Sequence, residues 1–373
     1  MLSSLRLYIR ALIKRPMIEP VINETRVTPD WLTGTLLRNG HLKHGSVSRI
    51  YLETFHSFFA NFYRLAITYS ADAAPALPAR LILKVPFADS VAALEMGREE
   101  VAAYRKLHEA MLGPPLVRCF DAAVESETGY SHLLLEDLSR THIQGYTPDD
   151  ISPRQWELCV EALADLHAFW WESEALGTQV GKLFDDAEVE KIRKLQEESL
   201  AKFFAEMGGE LSPEMQKTYS EVNLFLLGFW RRRLTSRRRN TLIHGDAHSW
   251  NFLFPKDVQQ GRAFMIDLAT LRARPATNDL AYLMALKWKP DRRARFELSL
   301  LRHYHGALVA RGVQDFSWED CLLDYRHSIV THLFTPVVQC AGKLISAGIW
   351  RANFQRITAA YQDWNCAELI SNT

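Results

Sequence analysis

The sequence predicts an α+β chain of two lobes: a small antiparallel sheet with one helix over residues 1–137, then a larger, mainly helical lobe over 138–373. Three observations carry this. Runs of β-branched and aromatic residues recur between turns up to Leu138. From Ser152 onward the apolar residues fall at helical spacing. At 373 residues, the chain is long enough to bury two cores.

Taken in order, Thr28-Pro29 reads as an N-cap followed by the first helical residue, and Gly40 as the stop. "VSRIYLETF", "FYRLAITYS" and "RLILKVP" then predict three antiparallel strands separated by turns. "VAALEMGREEVAAYRKLHEA" predicts a helix, and "LVRCFDAAVE" and "YSHLLLEDL" two further strands. Ser152-Pro153 opens a long helix through "ELCVEALADLHAFWW". Helices continue to the end, interrupted by short strands around Leu242–Leu253 and Ala263–Ile266.

Composition excludes several classes. Lys plus Arg and Asp plus Glu each number 44, so no overall field draws the chain to nucleic acid. Five scattered cysteines without a CxxC pair argue against a disulfide framework or structural zinc and for a reducing, cytoplasmic compartment. No apolar run reaches the roughly twenty residues of a membrane span, so integral membrane association is not expected. "MLSSLRLYIRALIKRP" is basic and amphipathic; a targeting peptide, a membrane-surface helix and a short basic surface helix all fit it, and the last is the commonest source of such a pattern. The arginines of "RRRLTSRRR" (231–239) fall near the C-terminus of a helix starting at Ser212-Pro213, where cations complement the dipole.

The stretch "LIHGDAHSWNFLF" (242–254) crowds polar residues among large apolar ones, and such groups cost free energy unless something satisfies them. Phosphoryl transfer from ATP needs a carboxylate to accept the proton of the attacking hydroxyl. It also needs an Asn and a second carboxylate on magnesium, and a Lys steadied by a Glu on the phosphates. Asp246 and Asn251 stand at the Asp-x-x-x-x-Asn interval, and Asp267 ends the apolar run "FMID". Lys84 ends the strand "RLILK", and Glu100, with Glu99 as its neighbouring rival, lies on the helix that follows. All five stand in the right chain order.

"HGDAHSWN…MIDLA…NDLAYL" resembles the aminoglycoside phosphotransferase-like superfamily of small-molecule kinases, and "LILKVP", "LLLEDL" and "ALADLHAFWW" resemble its ecdysteroid-kinase-like, choline-kinase-like branch. The resemblance runs from about Trp31 to the end and implies a protein-kinase-like fold with ATP between the lobes. It implies Asp246 as base, Asn251 and Asp267 as Mg2+ ligands, and Lys84 with Glu100 at the phosphates. Asp279 would brace the catalytic loop, and Leu135 to Leu138, with Glu136 and Leu138 foremost, would form the adenine hinge. Two departures stand out. The first hairpin loop, "HSFFAN", lacks glycine, so Ser57 and the backbone near Ala60 would have to meet the phosphates. Asp267-Leu268-Ala269 replaces the Asp-Phe-Gly of protein kinases.

Other readings compete. His244, Asp246 and His248 alternate and on a strand would share one face, as in a metal-dependent hydrolase. A non-catalytic kinase-like binding module would have no use for both Asp246 and Asp267. His244 is expected to prop the loop and His248 to position Asp246 or the acceptor. Trp170, Trp171, Trp250 and His167 are expected in the core, with the tryptophans as second-choice acceptor wall. Only eleven residues (268–278) separate Asp267 from Asp279, too few for a peptide platform. The expected partner is therefore a small hydroxylated substrate, neutral or mildly polar with apolar surface.

Overall fold

The computed structural model describes residues 26–57, 59–73, 77–111, 113–236 and 238–371. The basic stretch 1–16 and Phe58 of the first hairpin loop lie outside these described residues. The chain divides into two compact units. One holds the described residues up to Met111 together with Arg118–Leu138; the other holds Gly113–Val117 and the described residues from Ser139 on.

In the first unit, α1 (Pro29–Arg38) starts where Thr28 Oγ1 accepts from Trp31 N at 3.1 Å, and the chain leaves it through Gly40 at φ 71°. Strands β1 (Val47–His56), β2 (Ala60–Tyr69), β3 (Arg80–Pro86), β4 (Cys119–Val124) and β5 (Ser131–Glu136) form one antiparallel sheet in the order β1-β2-β3-β5-β4. Alternation aims Leu81, Leu83 and Val85 of β3 into a core shared with Leu32 and Leu36 of α1 and leaves Lys84 on the opposite face. Helix α2 (Val91–Ala110) is capped by Ser90 and lies close to the sheet at Gly97, where a Cβ would come within 2.4 Å of Pro86 Cγ and 2.5 Å of Ser131 Oγ. The strand and helix order of this unit follows the sequence reading.

The second unit is mainly helical. After the short β6 (His142–Gln144), α3 (Pro153–Phe169) begins with a full capping box between Ser152 and Gln155. It is followed by α4 (Asp186–Met207), α5 (Pro213–Ser236), β7 (Asn240–Ile243), β8 (Phe252–Pro255), β9 (Phe264–Met265) and β10 (Arg272–Pro275). A four-residue α6 (Thr277–Leu280) runs directly into a π-helical segment, Ala281–Leu286. Helices α7 (Pro290–Ala310), α8 (Trp318–His332), α9 (Phe334–Ala341), α10 (Ala347–Asp363) and α11 (Ala367–Ser371) complete it. Aromatic contacts knit the interior, with Trp156 edge-on to Trp288 at 4.8 Å and Phe203 against Tyr219 and Trp350.

The structure corrects the strand reading here. Residues 244–251 are not a strand but a loop ending in a 3-10 turn, Ser249–Asn251. Strand β7 pairs with β10, and β8 lies between β6 and β9; β6 and β10 are too short and too polar to declare themselves in sequence. Of the arginines at 231–239, Arg233 pairs with Asp324, and Arg239 with Asp320 and Asp324, all on or at α8. All five cysteines are free thiols. Among the described residues no helix is long and apolar enough to cross a membrane.

Candidate active site

The first unit contributes a buried ion pair. Lys84 Nζ lies 2.6 Å from Glu100 Oε2, with the two side chains only 15% and 4% exposed. An isolated charge at that depth would be costly, so each group makes the other tolerable. Glu99 is exposed, which decides between the two adjacent glutamates. The close approach at Gly97, one turn earlier, lets Glu100 reach the strand.

The remaining first-unit candidates are less free than expected. Ser57 is exposed and closes the first hairpin: its N–H donates to Ala60 O at 2.9 Å and its hydroxyl to the same oxygen at 3.4 Å. Glu136 N–H donates to Arg118 O at 2.9 Å and is not open to a ligand. Leu138 follows, half-buried, after Asp137, whose carboxylate takes Arg64 and Arg80 at 3.2 and 2.9 Å.

In the second unit the loop after β7 is built around Asp279. This fully buried carboxylate accepts from His244 N at 2.7 Å, from Gly245 N at 2.8 Å and from His167 Nε2 at 3.1 Å. Tyr304 OH donates to the other nitrogen of His167 at 2.7 Å, which fixes that ring. Burial pushes the Asp279 carboxyl up, but the hydrogen bonds from His167 and the Gly245 N–H outweigh it, so it lies below its ordinary value. Gly245 sits at φ +83°, and a Cβ there would meet Thr270 O at 2.4 Å. Only glycine fits.

Further bonds stitch this loop to the segment bearing Asp267. His244 Nε2 donates to Ile266 O at 2.9 Å, Thr270 Oγ1 donates to His244 O at 2.8 Å, and Ile266 N donates to Asn251 O at 3.0 Å. Asn251 is thereby tied, backbone to backbone, to the residue before Asp267. Asp267 takes a left-handed conformation, φ 63° and ψ 62°, at the start of the turn Leu268–Thr270. Such strain in a non-glycine residue is held by surrounding contacts and concentrates at functional sites.

Asp246 stands in the middle of this loop with its side chain 31% exposed. Tyr282 OH donates to Oδ1 at 2.6 Å; His248 Nε2 lies 3.4 Å from Oδ2. Asn251 Nδ2 donates to the Asp246 backbone oxygen at 2.9 Å and to its carboxylate at 3.3 Å. These bonds all use the Asn251 amide nitrogen, and its side-chain oxygen is the atom it could offer a cation. Burial would raise the Asp246 carboxyl, but His248 by hydrogen bond and charge, then Tyr282, hold it well below the usual carboxylate range.

Tyr282 was not marked out by sequence reasoning, although it lies inside "NDLAYL". It belongs to the π-helical segment, and nothing in a 3.6-residue pattern reveals where an i→i+5 turn will point a side chain. Trp170 is buried as expected, and His167 is a satisfied core histidine. Trp250 departs from expectation: it is 45% exposed, its ring edge-on to His248 at 6.1 Å. The alternating His-Asp-His face does not form, because 244–248 is no strand. His244 has both ring nitrogens engaged, Nε2 on Ile266 O and Nδ1 on the Asp246 N–H at 3.4 Å.

This α+β fold and this loop define a phosphotransferase of the small-molecule type. The family model "Phosphotransferase enzyme family" (APH) matches residues 68–316, more than half of the chain, and the chain belongs to that family. Among solved structures it is similar to a protein from Ralstonia eutropha JMP134 provisionally named an aminoglycoside phosphotransferase, at 14% identity and TM-score 0.54 over 91% of this chain and 99% of that one. It is also similar to the choline kinase of Cryptosporidium parvum Iowa II, at 12% identity and TM-score 0.55 over 87% of this chain and 91% of that one. At such identities the likeness concerns the fold. No curated protein matches the chain.

Proposed function

We propose that the chain moves the γ-phosphoryl group of ATP to a hydroxyl of a small molecule. Asp246 orients the hydroxyl and accepts its proton, Asn251 and Asp267 hold Mg2+, and Lys84, steadied by Glu100, grips phosphate. The observation that carries this reading is the loop itself: Asp246 half-open to solvent, and Asn251 tied by its backbone oxygen to Ile266, the residue before Asp267. An amide oxygen and a carboxylate are the hard oxygen donors that Mg2+ prefers. Bound there, the ion would neutralise charge on the transferring phosphoryl group.

The low carboxyl pKa of Asp246 suits this chemistry. In a loose phosphoryl-transfer transition state the nucleophile loses its proton late, so a positioned, fully ionised acceptor serves better than a strong base. Tyr282, whose hydroxyl burial and the neighbouring Asp246 push well above its ordinary value, stays a donor throughout the working range. The hydrolase alternative loses support because His244 has no ring nitrogen left for a metal.

The test is phosphate transfer from ATP across a panel of small alcohols, followed by 31P NMR. Transfer by the unaltered protein, lost in Asp246→Asn and Asp267→Asn, is the expected outcome. Transfer that persists undiminished in both variants would overturn the assignment.

A further inference from the structure

Three cations, Lys287, Arg272 and Arg356, lie on or against the segments that carry Tyr282 and the loop of Asp246. Lys287 follows the π-helical segment, and its Nζ lies 4.9 Å from the ring of Tyr282, the residue that donates to Asp246. Arg272 reaches back over the same loop, its Nε donating to Thr270 O at 3.2 Å and its Nη2 to Gly245 O at 3.4 Å. Arg356 lies on α10, which packs against the π-helical segment, and its charge acts on Lys287. All three are half-buried.

Among the described residues none of the three ion-pairs with a carboxylate. The acid facing Arg356 is Asp149, which already holds Arg292 at 2.9 Å and Lys289 at 3.5 Å. Three half-buried arginines elsewhere in this unit do find acids: Arg233 pairs with Asp324, Arg239 with Asp320 and Arg292 with Asp149. Burial holds the Lys287 ammonium below its ordinary value, Asp246 draws it up, and Arg356 pushes it down again. Beyond that pull of Asp246, neither Lys287 nor Arg356 has a carboxylate at ion-pair distance among the described residues, and an anion would supply one. Exposed aromatic surface adjoins the same loop: Trp250 is 45% exposed, and Tyr146, 61% exposed, takes the Ser249 hydroxyl on its carbonyl at 2.9 Å.

We infer that the acceptor alcohol is anionic, an apolar-bodied hydroxy acid whose carboxylate is met by Lys287 and Arg356 while its hydroxyl lies at Asp246. This rests on the phosphotransferase reading and replaces the expectation of a neutral acceptor. It also sets the site apart from one that takes amines, which would want unanswered carboxylates rather than unanswered cations. Arg272, with its guanidinium partly engaged by backbone carbonyls, adds field rather than a direct bond.

The experiment compares an aliphatic hydroxy acid, its methyl ester and the amino alcohol of equal length. Transfer from ATP is measured on the unaltered protein and on Lys287→Met, Arg356→Met and Lys287→Arg. Calorimetry follows binding of the acid to Asp246→Asn with and without Lys287→Met. The acid should be preferred over the ester in kcat/KM, and Lys287→Met should shrink that preference about ten- to a hundred-fold, as for loss of a charge-assisted bond. Arg356→Met should act in the same direction, and Lys287→Arg, which keeps the charge, should restore the preference and show that the fold survives. Preference for the ester or the amino alcohol would overturn the inference. So would an equal loss on all three acceptors in Lys287→Met, which would assign the charge to the nucleotide. Acid binding that depends on Lys287 without transfer to any acceptor would uphold the anion subsite and remove the kinase reading; transfer blind to acceptor charge would do the reverse.

Discussion

Two aspartates of the second unit serve one loop, Asp246 within it and Asp279 bracing it from α6, and have opposite surroundings. Asp279 is fully buried, and its two oxygens accept two backbone N–H groups and a histidine. Asp246 is 31% exposed and bonded by side chains, chiefly Tyr282 and Asn251. Both carboxyls lie below their ordinary value, so a lowered pKa does not distinguish a brace from a base. Access does. A carboxylate saturated by the backbone can only fix geometry, whereas one held from the side keeps a face for a proton.

The sharpest way to break the comparison is to neutralise each in turn. Asp246→Asn should lower transfer by about 10²–10⁴-fold, as for loss of a positioned base, with little change in urea unfolding. Asp279→Asn turns an amide N–H toward donors and removes the charge opposite His167. It should cost about 3–5 kcal/mol of folding free energy, the usual range when one partner of a buried pair is lost. Were Asp246→Asn the more destabilising of the two, the roles would have to be exchanged.

Next in size is the first unit's own buried carboxylate, Glu100. Lys84→Met should raise the KM for ATP about ten- to a hundred-fold, and Glu100→Gln less, since the Glu only steadies the ammonium. A double-mutant cycle on ATP affinity should show coupling of about 0.5–3 kcal/mol between them, and purely additive effects would dissolve the pair.

Smaller again is Tyr282→Phe, which removes a hydrogen bond to the ionised form of Asp246. Loss of that bond raises the carboxyl pKa, so the acid limb of the pH–rate profile should move to higher pH. Transfer at neutral pH should fall about ten-fold. An unmoved acid limb would mean that the hydroxyl does not tune Asp246.

The last effect, confined to acid pH, concerns His332, next to the brace. Its Nε2 donates to Asn278 O at 3.0 Å, and burial, helped by Arg272 and opposed by the Asn278 bond, pushes its pKa down from 6.5 to about 4. The folded chain therefore binds this proton less readily than the unfolded chain. Stability should be full above pH 6.5 and fall as the pH drops toward 4, by roughly 1.4 kcal/mol per unit at most. Unfolding curves of His332→Gln at pH 7 and pH 5 should lie closer together than those of the unaltered protein.

The sequence by itself determined what depends on near neighbours. Strand alternation put Lys84 opposite Leu83 and Val85, Thr28 and Ser152 opened their helices as capping chemistry requires, and the Asp246-to-Asn251 spacing made one short loop. The choice of Glu100 over Glu99 needed the close packing at Gly97, which no residue count supplies. Tertiary structure also decided which loop atoms were free. It tied Ser57 to its own turn, used both nitrogens of His244 and pushed Trp250 out of the core. Tyr282 reaches Asp246 across thirty-six residues through a π-helical turn, and the charge of Arg356 acts on Lys287 only because α10 folds back on that turn. Local sequence sets propensity and spacing, but burial and charge pairing are properties of surfaces that meet only once the chain has folded.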